Sequence, residues 1–351
     1  MNFHINQTLV SEDSPCYLIA EMSANHCGSF DKAIEIIHQA KACGANAIKL
    51  QTYRADTITL DCDEPDFTLP SDNPWESHNT LYKLYEKAYT PWEWHEALFE
   101  EGRKIGIDVF SSPFDNTAVD LLESLGCPAY KIASPEISDV GLIARVAQTG
   151  KPVILSTGLA TQEDIELAIK TLEDNGCQQY AFLKCTTAYP APAEDIHLKT
   201  IKDMSQKYQC ITGLSDHTLG NSVAIASVAL GAKIIEKHFV LSRDDASVDG
   251  FFSLTPEDFT QLVDDVRNIE KAIGTVNYEI SPASKKNLLA KRSLYVAQDI
   301  KKGEVITQAH VKSVRPSFGL HPKYLPQIIG KKAAKDLKLG QRFALDLVQE
   351  S

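Results

Sequence analysis

From the N-terminus to Phe239, eight short apolar runs recur along the chain, each separated from the next by a longer segment with helical spacing. They are CYLIAE (16–21), AIKLQ (47–51), DVFSS (108–112), AYKIAS (129–134), PVILST (152–157), YAFLKC (180–185), CITGLS (210–215) and KIIEKHF (233–239). Nearly continuous apolar runs that turn polar at their carboxyl ends are what parallel strands covered on both faces look like. Strands alternating with helices predict repeated βα units, and eight of them over roughly 250 residues predict a (β/α)8 TIM barrel of the α/β class. An open doubly wound sheet is the alternative, but it usually has fewer strands and a glycine-rich first turn that this chain lacks. Between the runs, Asp31–Gly44 keeps Ala33, Ile36, Ile37 and Ala40 at helical spacing with Gly44 as a stop. Thr161–Gly176 opens on Thr161 and Asp164, a variant of the capping box.

The alternation stops near residue 275, and the chain then changes character. The segment EISPASKK (279–286) is polar and carries Pro282, which reads as a linker. Beyond it lie alternating stretches separated by Lys-Gly and Pro turns, the signature of a small β-rich domain. The expected organisation is therefore a barrel over 1–278, a linker over 279–289 and a small domain over 290–351, consistent with a length of 351 residues. A region of about 60 residues buries only ~60% of its unfolded surface, so it is expected to lean on its own barrel or on a second subunit.

A formal charge of −12 repels nucleic acid and anionic lipid, so neither is an expected partner, and the cations for any anionic ligand must be local. The eight cysteines form no CxxC pair, the start MNFHINQTLV lacks the pattern of a signal peptide, and no stretch approaches the ~20 apolar residues of a membrane helix. A cytoplasmic protein with reduced thiols is expected.

Barrel enzymes carry their chemistry at the carboxyl ends of the strands, and here those ends are polar throughout. They offer Glu21; Lys49 and Gln51; Ser111 and Ser112; Lys131, Ser134 and Glu136; Ser156 and Thr157; Lys184, Thr186, Thr187 and Tyr189; Ser215, Asp216 and His217; Glu236, Lys237 and His238. Singly, each has a plain reading, as a solvated lysine or a serine capping the next helix. His217 and His238 end neighbouring strands, and two imidazoles aimed at one point suit a divalent ion with open positions, Mn2+ or Mg2+, rather than a closed zinc site. The competing reading pairs them with Asp216 and Glu236 as a hydrogen-bonded packing network. Lys49 and Lys131, with the hydroxyls of Ser112, Ser134, Ser156 and Ser215, form a cradle for a small polyanion. A Schiff base on Lys131 or Lys184 is the chemical alternative.

The segments IAEMSANHCGS (19–29), KLQTY (49–53), FSSPFD (110–115), YKIASPEI (130–137), LSTGLA (155–160), KCTTAYPAP (184–192), GLSDHT (213–218) and EKHF (236–239) together resemble the sialic acid synthase family. The tail, with KRSLYVAQDIKKGEVI from Lys291 and VRPSFGLHP from Val314, is similar to that family's antifreeze-like (SAF) domain. The resemblance implies a transferase that condenses phosphoenolpyruvate with an N-acetylated amino sugar in its open-chain aldehyde form, releasing phosphate and giving a nine-carbon 2-keto acid. It implies that His217 and His238 hold the metal and that Lys49, Ser112, Lys131, Ser134, Ser156 and Ser215 grip phosphoenolpyruvate. Thr187 stands where many members carry asparagine and would offer the phosphate a hydroxyl. Glu21, Gln51, Tyr189 and Asp249 match sugar-contacting positions. Arg315 matches an arginine that the tail of a partner subunit inserts over the sugar, which implies a domain-swapped homodimer. Glu21 and Glu136 would stabilise positive charge at C2 of the enol and serve as acid or base.

Within the family, TLYKLYEKAYTPWEWH (80–95) and the SANH after Glu21 look most like the pseudaminic acid synthase branch. Its members take 2,4-diacetamido-2,4,6-trideoxy-L-altrose, whose 6-deoxy end calls for a less polar wall that Trp75 and Trp92 could supply. N-acetylneuraminate and legionaminate synthases are the alternatives within the family, and a barrel that binds sugar without turnover is the alternative outside catalysis.

Overall fold

The computed structural model describes residues 3–71, 73–245 and 247–349. The chain divides into two compact units, Met1–Gly274 and Thr275–Ser351. The first opens with a hairpin of β1 (Phe3–Ile5) and β2 (Thr8–Val10). Eight parallel strands follow: β3 (Tyr17–Glu21), β4 (Ala47–Thr52), β5 (Asp108–Pro113), β6 (Tyr130–Ile132), β7 (Val153–Ser156), β8 (Tyr180–Cys185), β9 (Ile211–Asp216) and β10 (Ile234–His238). They pair in chain order and close through β10 onto β3, so the barrel expected from the sequence is present, with one strand in each apolar run. Every residue of β3, β9 and β10 is buried, as a sheet covered by helices outside and packed side chains inside requires.

Local signals set the helices. Phe30–Ala42 starts where the Ser29 side chain accepts from the Lys32 backbone N–H, and it buries Ala33, Ile36, Ile37 and Ala40 against the barrel. Gln162–Asp174 begins with the reciprocal Thr161–Asp164 capping box. Gly213, in β9, packs so closely on its neighbour that a Cβ there would lie 2.1 Å from the Ile234 carbonyl oxygen. The run at 129–134 yields a strand of only three residues, because the chain turns into a 3-10 helix at Ser134–Ser138, which carries Ser134 and Glu136 just above the strand end.

The hairpin was not evident from the sequence. The His4 N–H donates to Gln179 Oε1, and Asn6 Nδ2 donates to Asp108 Oδ1. These partners stand at the amino ends of β8 and β5, so the hairpin lies across the floor of the barrel, with Phe3, Ile5 and Val10 buried there. At the opposite end, a long connection leaves β4. It includes a short helix, Leu81–Ala88, started by Thr80, whose side chain accepts from the Lys83 N–H.

The second unit has an apolar core of its own, including Leu294, Val296, Ile300, Ile306, Leu337 and Phe343. Its regular structure is sparse: β11 (Ser293–Val296) pairs antiparallel with β12 (Val311–Val314), and isolated bridges, 3-10 turns and a one-turn helix, Leu325–Ile328, accompany them. Residues 275–292 are exposed throughout and contain a short helix, Pro282–Lys285. Among the described residues, no helix is long and apolar enough to cross a membrane.

Candidate active site

Strand alternation decides which polar residues at the rim face inward. On β10, Glu236 and His238 share the inner face, and Lys237 between them points away. Lys237 Nζ instead lies 2.8 Å from Asp216 Oδ2 and donates to the carbonyls of Thr218 and Gly220, a buried pair that ties β9 to β10 behind the site. This corrects the packing alternative for the two histidines, since the Asp216 carboxylate is occupied by Lys237 and the Thr218 N–H.

Inside the rim, four charged side chains from four strands form a chain. Lys49 Nζ is 2.6 Å from Glu21 Oε2 and 3.7 Å from Glu236 Oε1, and Lys131 Nζ is 3.0 Å from the same Glu236 oxygen. Lys49 donates to Ser112 Oγ at 3.2 Å, and Ser215 Oγ donates to Glu236 Oε1 at 3.2 Å. Gln51 Nε2 and the Ser23 N–H both donate to Glu21 Oε1. All four charged groups are buried. Burial works against the Glu236 carboxylate, but Lys131 and Lys49 outweigh it and hold its value down at about 2. Glu21 goes the other way: burial raises it, and Lys49 only partly compensates. Burial pulls Lys131 below the ordinary lysine value against the attraction of Glu236, whereas Lys49, beside two carboxylates, ends above it. Both lysines of the sequence reading lie together inside the rim, and that reading missed Glu236 as the anchor between them. Its spacing of two from His238 was the available signal.

Further along the rim, Ser134 Oγ accepts from the Gly158 N–H at 2.9 Å. A Cβ on Gly158 would meet Thr187 Oγ1 at 2.2 Å, Ser134 Oγ at 2.8 Å and Cys185 Sγ at 3.0 Å, so the close approach requires glycine. Among the described residues, Ser156 Oγ is buried without a partner. Glu136 Oε2 is likewise buried and unpaired, and burial pushes its carboxyl up to about 7.

The histidine rings lie 5.4 Å apart, centre to centre. His217 Nδ1 donates to the Thr186 carbonyl at 3.0 Å, which leaves Nε2 as the free acceptor. Its value is raised: burial opposes this, but the Cys185 thiol, 3.9 Å from Nδ1, and that carbonyl prevail. His238 is held well below the ordinary value by burial and the nearby positive charges, so its ring stays neutral, with Nδ1 buried, unpaired and 3.6 Å from Asp249 Oδ2. Two neutral-capable imidazoles, one oriented by a carbonyl and one with an orphaned nitrogen, fit a divalent ion. No cluster of three or more His, Cys, Asp or Glu ligands occurs among the described residues, so water and substrate oxygens would complete the shell. Cys185, which the sequence reading passed over, packs against His217 on the side away from that free nitrogen.

A cavity of about 300 Å³ adjoins His238. The barrel lines it with Gln51, Thr187, Tyr189, His238 and Asp249, and Ser23 donates to the Asp249 carboxylate. The β4 connection adds Trp75, whose Nε1 donates to the Val248 carbonyl. Trp92 is not part of the wall: its Nε1 donates to the Tyr53 carbonyl, and its face carries the Arg54 guanidinium. Lys184 is also elsewhere, lining a separate hollow on the helical side with Gln162 and Asp203, which removes it as a Schiff-base candidate in this site. Arg315 belongs to the second unit, where it follows β12 and is exposed.

Residues 36–278 match the model of the NeuB family and residues 291–345 that of the SAF domain. The chain is 44% identical over 328 residues to the pseudaminic acid synthase of Campylobacter jejuni, covering 93% of this chain and 95% of that one. It is 41% identical to the Helicobacter pylori pseudaminic acid synthase (96% and 99% covered) and 34% identical to the C. jejuni N,N'-diacetyllegionaminic acid synthase (92% and 96% covered). Among solved structures, the N-acetylneuraminic acid synthetase of Leptospira borgpetersenii, in complex with citrate, superposes with a TM-score of 0.73 at 28% identity, covering 82% of this chain and 95% of that one. With the family model matched over residues 36–278 and relatives 41 to 44% identical over nearly the whole chain, this chain belongs to the NeuB family.

Proposed function

We propose that the chain is a pseudaminic acid synthase, condensing phosphoenolpyruvate with the open-chain aldehyde of 2,4-diacetamido-2,4,6-trideoxy-L-altrose and water to give pseudaminic acid and phosphate. The observation that carries this reading is the buried Glu21–Lys49–Glu236–Lys131 chain at the same strand ends as two imidazoles, beside a cavity of sugar size. Support for the sugar comes from the names of the relatives at 41 to 44% identity. The Leptospira neighbour carries citrate, another small polyanion.

In this reading, Lys49 and Lys131 divide their charge between the two glutamates and the arriving phosphoenolpyruvate, whose carboxylate and phosphate take hydroxyl donors from Ser112, Ser134, Ser156, Thr187 and Ser215. Gln51, Tyr189 and Asp249 hold the sugar with its aldehyde at the rim. C3 of the enol forms the new bond to the aldehyde carbon, C2 becomes positive next to Glu21 and Glu136, water adds at C2, and the C–O bond to phosphate breaks. Glu136, poised near neutrality, can give or take a proton in these steps. His217 and His238 would hold Mn2+ or Mg2+, which when bound supplies Lewis-acid polarisation of the aldehyde oxygen.

Phosphate release from phosphoenolpyruvate, measured in parallel with the altrose derivative, its legionaminate-type isomer and N-acetylmannosamine, tests the sugar. Release is expected with the first, to be lost with chelator and restored by added Mn2+. Turnover of N-acetylmannosamine alone would overturn the sugar assignment. Undiminished turnover in chelator, with borohydride trapping of Lys131, would replace the metal reading by the Schiff base.

The reading extends to a homodimer in which Arg315 of a second copy reaches the sugar. Its support is the exposure of Arg315, which has no side-chain partner among the described residues, and of the adjacent Val314 and Phe318. Activity per subunit is expected to fall on dilution; a monomer with full activity would refute the arrangement.

A further inference from the structure

The cavity beside His238 is polar on one half and largely apolar on the other. The barrel supplies the polar half through Gln51, Thr187, Tyr189, His238 and Asp249. The β4 connection supplies most of the rest, chiefly through Leu81, Leu84, Tyr85 and Ala88 of the Leu81–Ala88 helix and with Asn73 as a polar member, while Ala24, Pro135 and Val248 come from other rim segments. These four stand at i, i+3, i+4 and i+7, so one face of a two-turn helix is turned into the cavity. Leu69 and Trp75 extend the same wall, with the Trp75 N–H already satisfied by Val248, and Tyr85 is held edge-on against Tyr53 at 5.7 Å between ring centres.

Resting on the proposed function, we infer that this helix face is the specificity wall for the far end of the sugar, and that it selects a terminal methyl over a terminal hydroxymethyl group. The aldehyde carbon must lie at the barrel rim, where the new bond forms, so the sixth carbon of the chain is carried away from the rim and toward the connection. A methyl group there covers apolar surface of Leu81, Leu84 and Ala88. A hydroxyl there gives up water and finds no donor or acceptor on those three side chains.

The test compares 2,4-diacetamido-2,4,6-trideoxy-altrose with its 6-hydroxy counterpart, which differs by one oxygen. Wild-type kcat/KM is expected to favour the 6-deoxy sugar by roughly 100-fold, the scale on which an apolar pocket rejects an added hydroxyl. Ala88→Ser, which adds a hydroxyl to the wall, is expected to narrow that ratio by about tenfold, the worth of one hydrogen bond. Leu84→Ala is expected to narrow it through loss on the 6-deoxy arm, whereas Leu84→Met keeps the preference. The KM for phosphoenolpyruvate, which binds on the barrel side, is expected to stay constant and reports an intact fold. A wild-type ratio near one, or variants that change both sugars equally, would overturn the inference and leave the proposed function standing. Turnover of neither diacetamido sugar would overturn both.

Discussion

Lys131→Met is expected to lower kcat/KM by about a thousandfold and to cost the barrel roughly 3 kcal/mol of stability. Both effects have one origin. Lys131 Nζ sits 3.0 Å from Glu236 Oε1, and it is the largest influence holding that carboxylate ionised against complete burial. With the ammonium gone, Glu236 keeps only the Ser215 hydroxyl and Lys49 at 3.7 Å, so it either stays charged without adequate compensation or takes a proton. In the proposed reaction the same ammonium is one of two positive charges facing phosphoenolpyruvate. Urea unfolding and steady-state phosphate release separate the two contributions. The double variant Lys131→Met with Glu236→Leu should recover stability, because no buried charge is left alone, and should remain inactive. A single variant with near-normal kcat/KM would make the lysine a packing element.

Glu136 presents the opposite balance, and Glu136→Gln is expected to stabilise the protein. Burial lifts its carboxyl from the ordinary 4.5 to about 7. The folded chain therefore keeps a proton that the unfolded chain releases between these values. Stability falls as pH rises through that window, and the loss is complete above about 7. At about 1.36 kcal/mol for each pH unit, the penalty approaches roughly 3 kcal/mol. Glutamine removes it, so urea unfolding should show a gain near that size at pH 8 and almost none at pH 4. The same substitution should abolish any inflection of kcat/KM near pH 7 and lower the rate by a factor on the order of 10² to 10⁴, the usual contribution of a placed proton carrier. A gain independent of pH, or an unchanged rate profile, would remove Glu136 from that role.

The barrel was legible because each strand lies between helices and packed side chains, which demands an apolar residue at nearly every position and leaves runs such as Tyr17–Ala20 standing out from the helical segments. The rim was legible because polar residues end each run. What the runs did not reveal was direction. Glu236 and Lys237 are neighbours in sequence, yet one joins the lysine chain and the other faces the helices with Asp216. Only the alternation fixed by His238 separates them. The apolar wall was harder to see. Trp75 and Trp92 attract notice by size, but Trp92 is turned to Tyr53 and Arg54, and the wall comes mainly from a helix of two turns whose pattern is too short to stand out. The hairpin at the start, with three residues in each strand, offered no period at all.

That hairpin has a kinetic corollary. With Phe3, Ile5 and Val10 it covers the floor of a barrel whose axis is already filled by packed side chains, so reactants and products share one opening at the rim. Nothing spent can be pushed out from behind by an incoming molecule, and each round must include an interval in which the site empties before it refills.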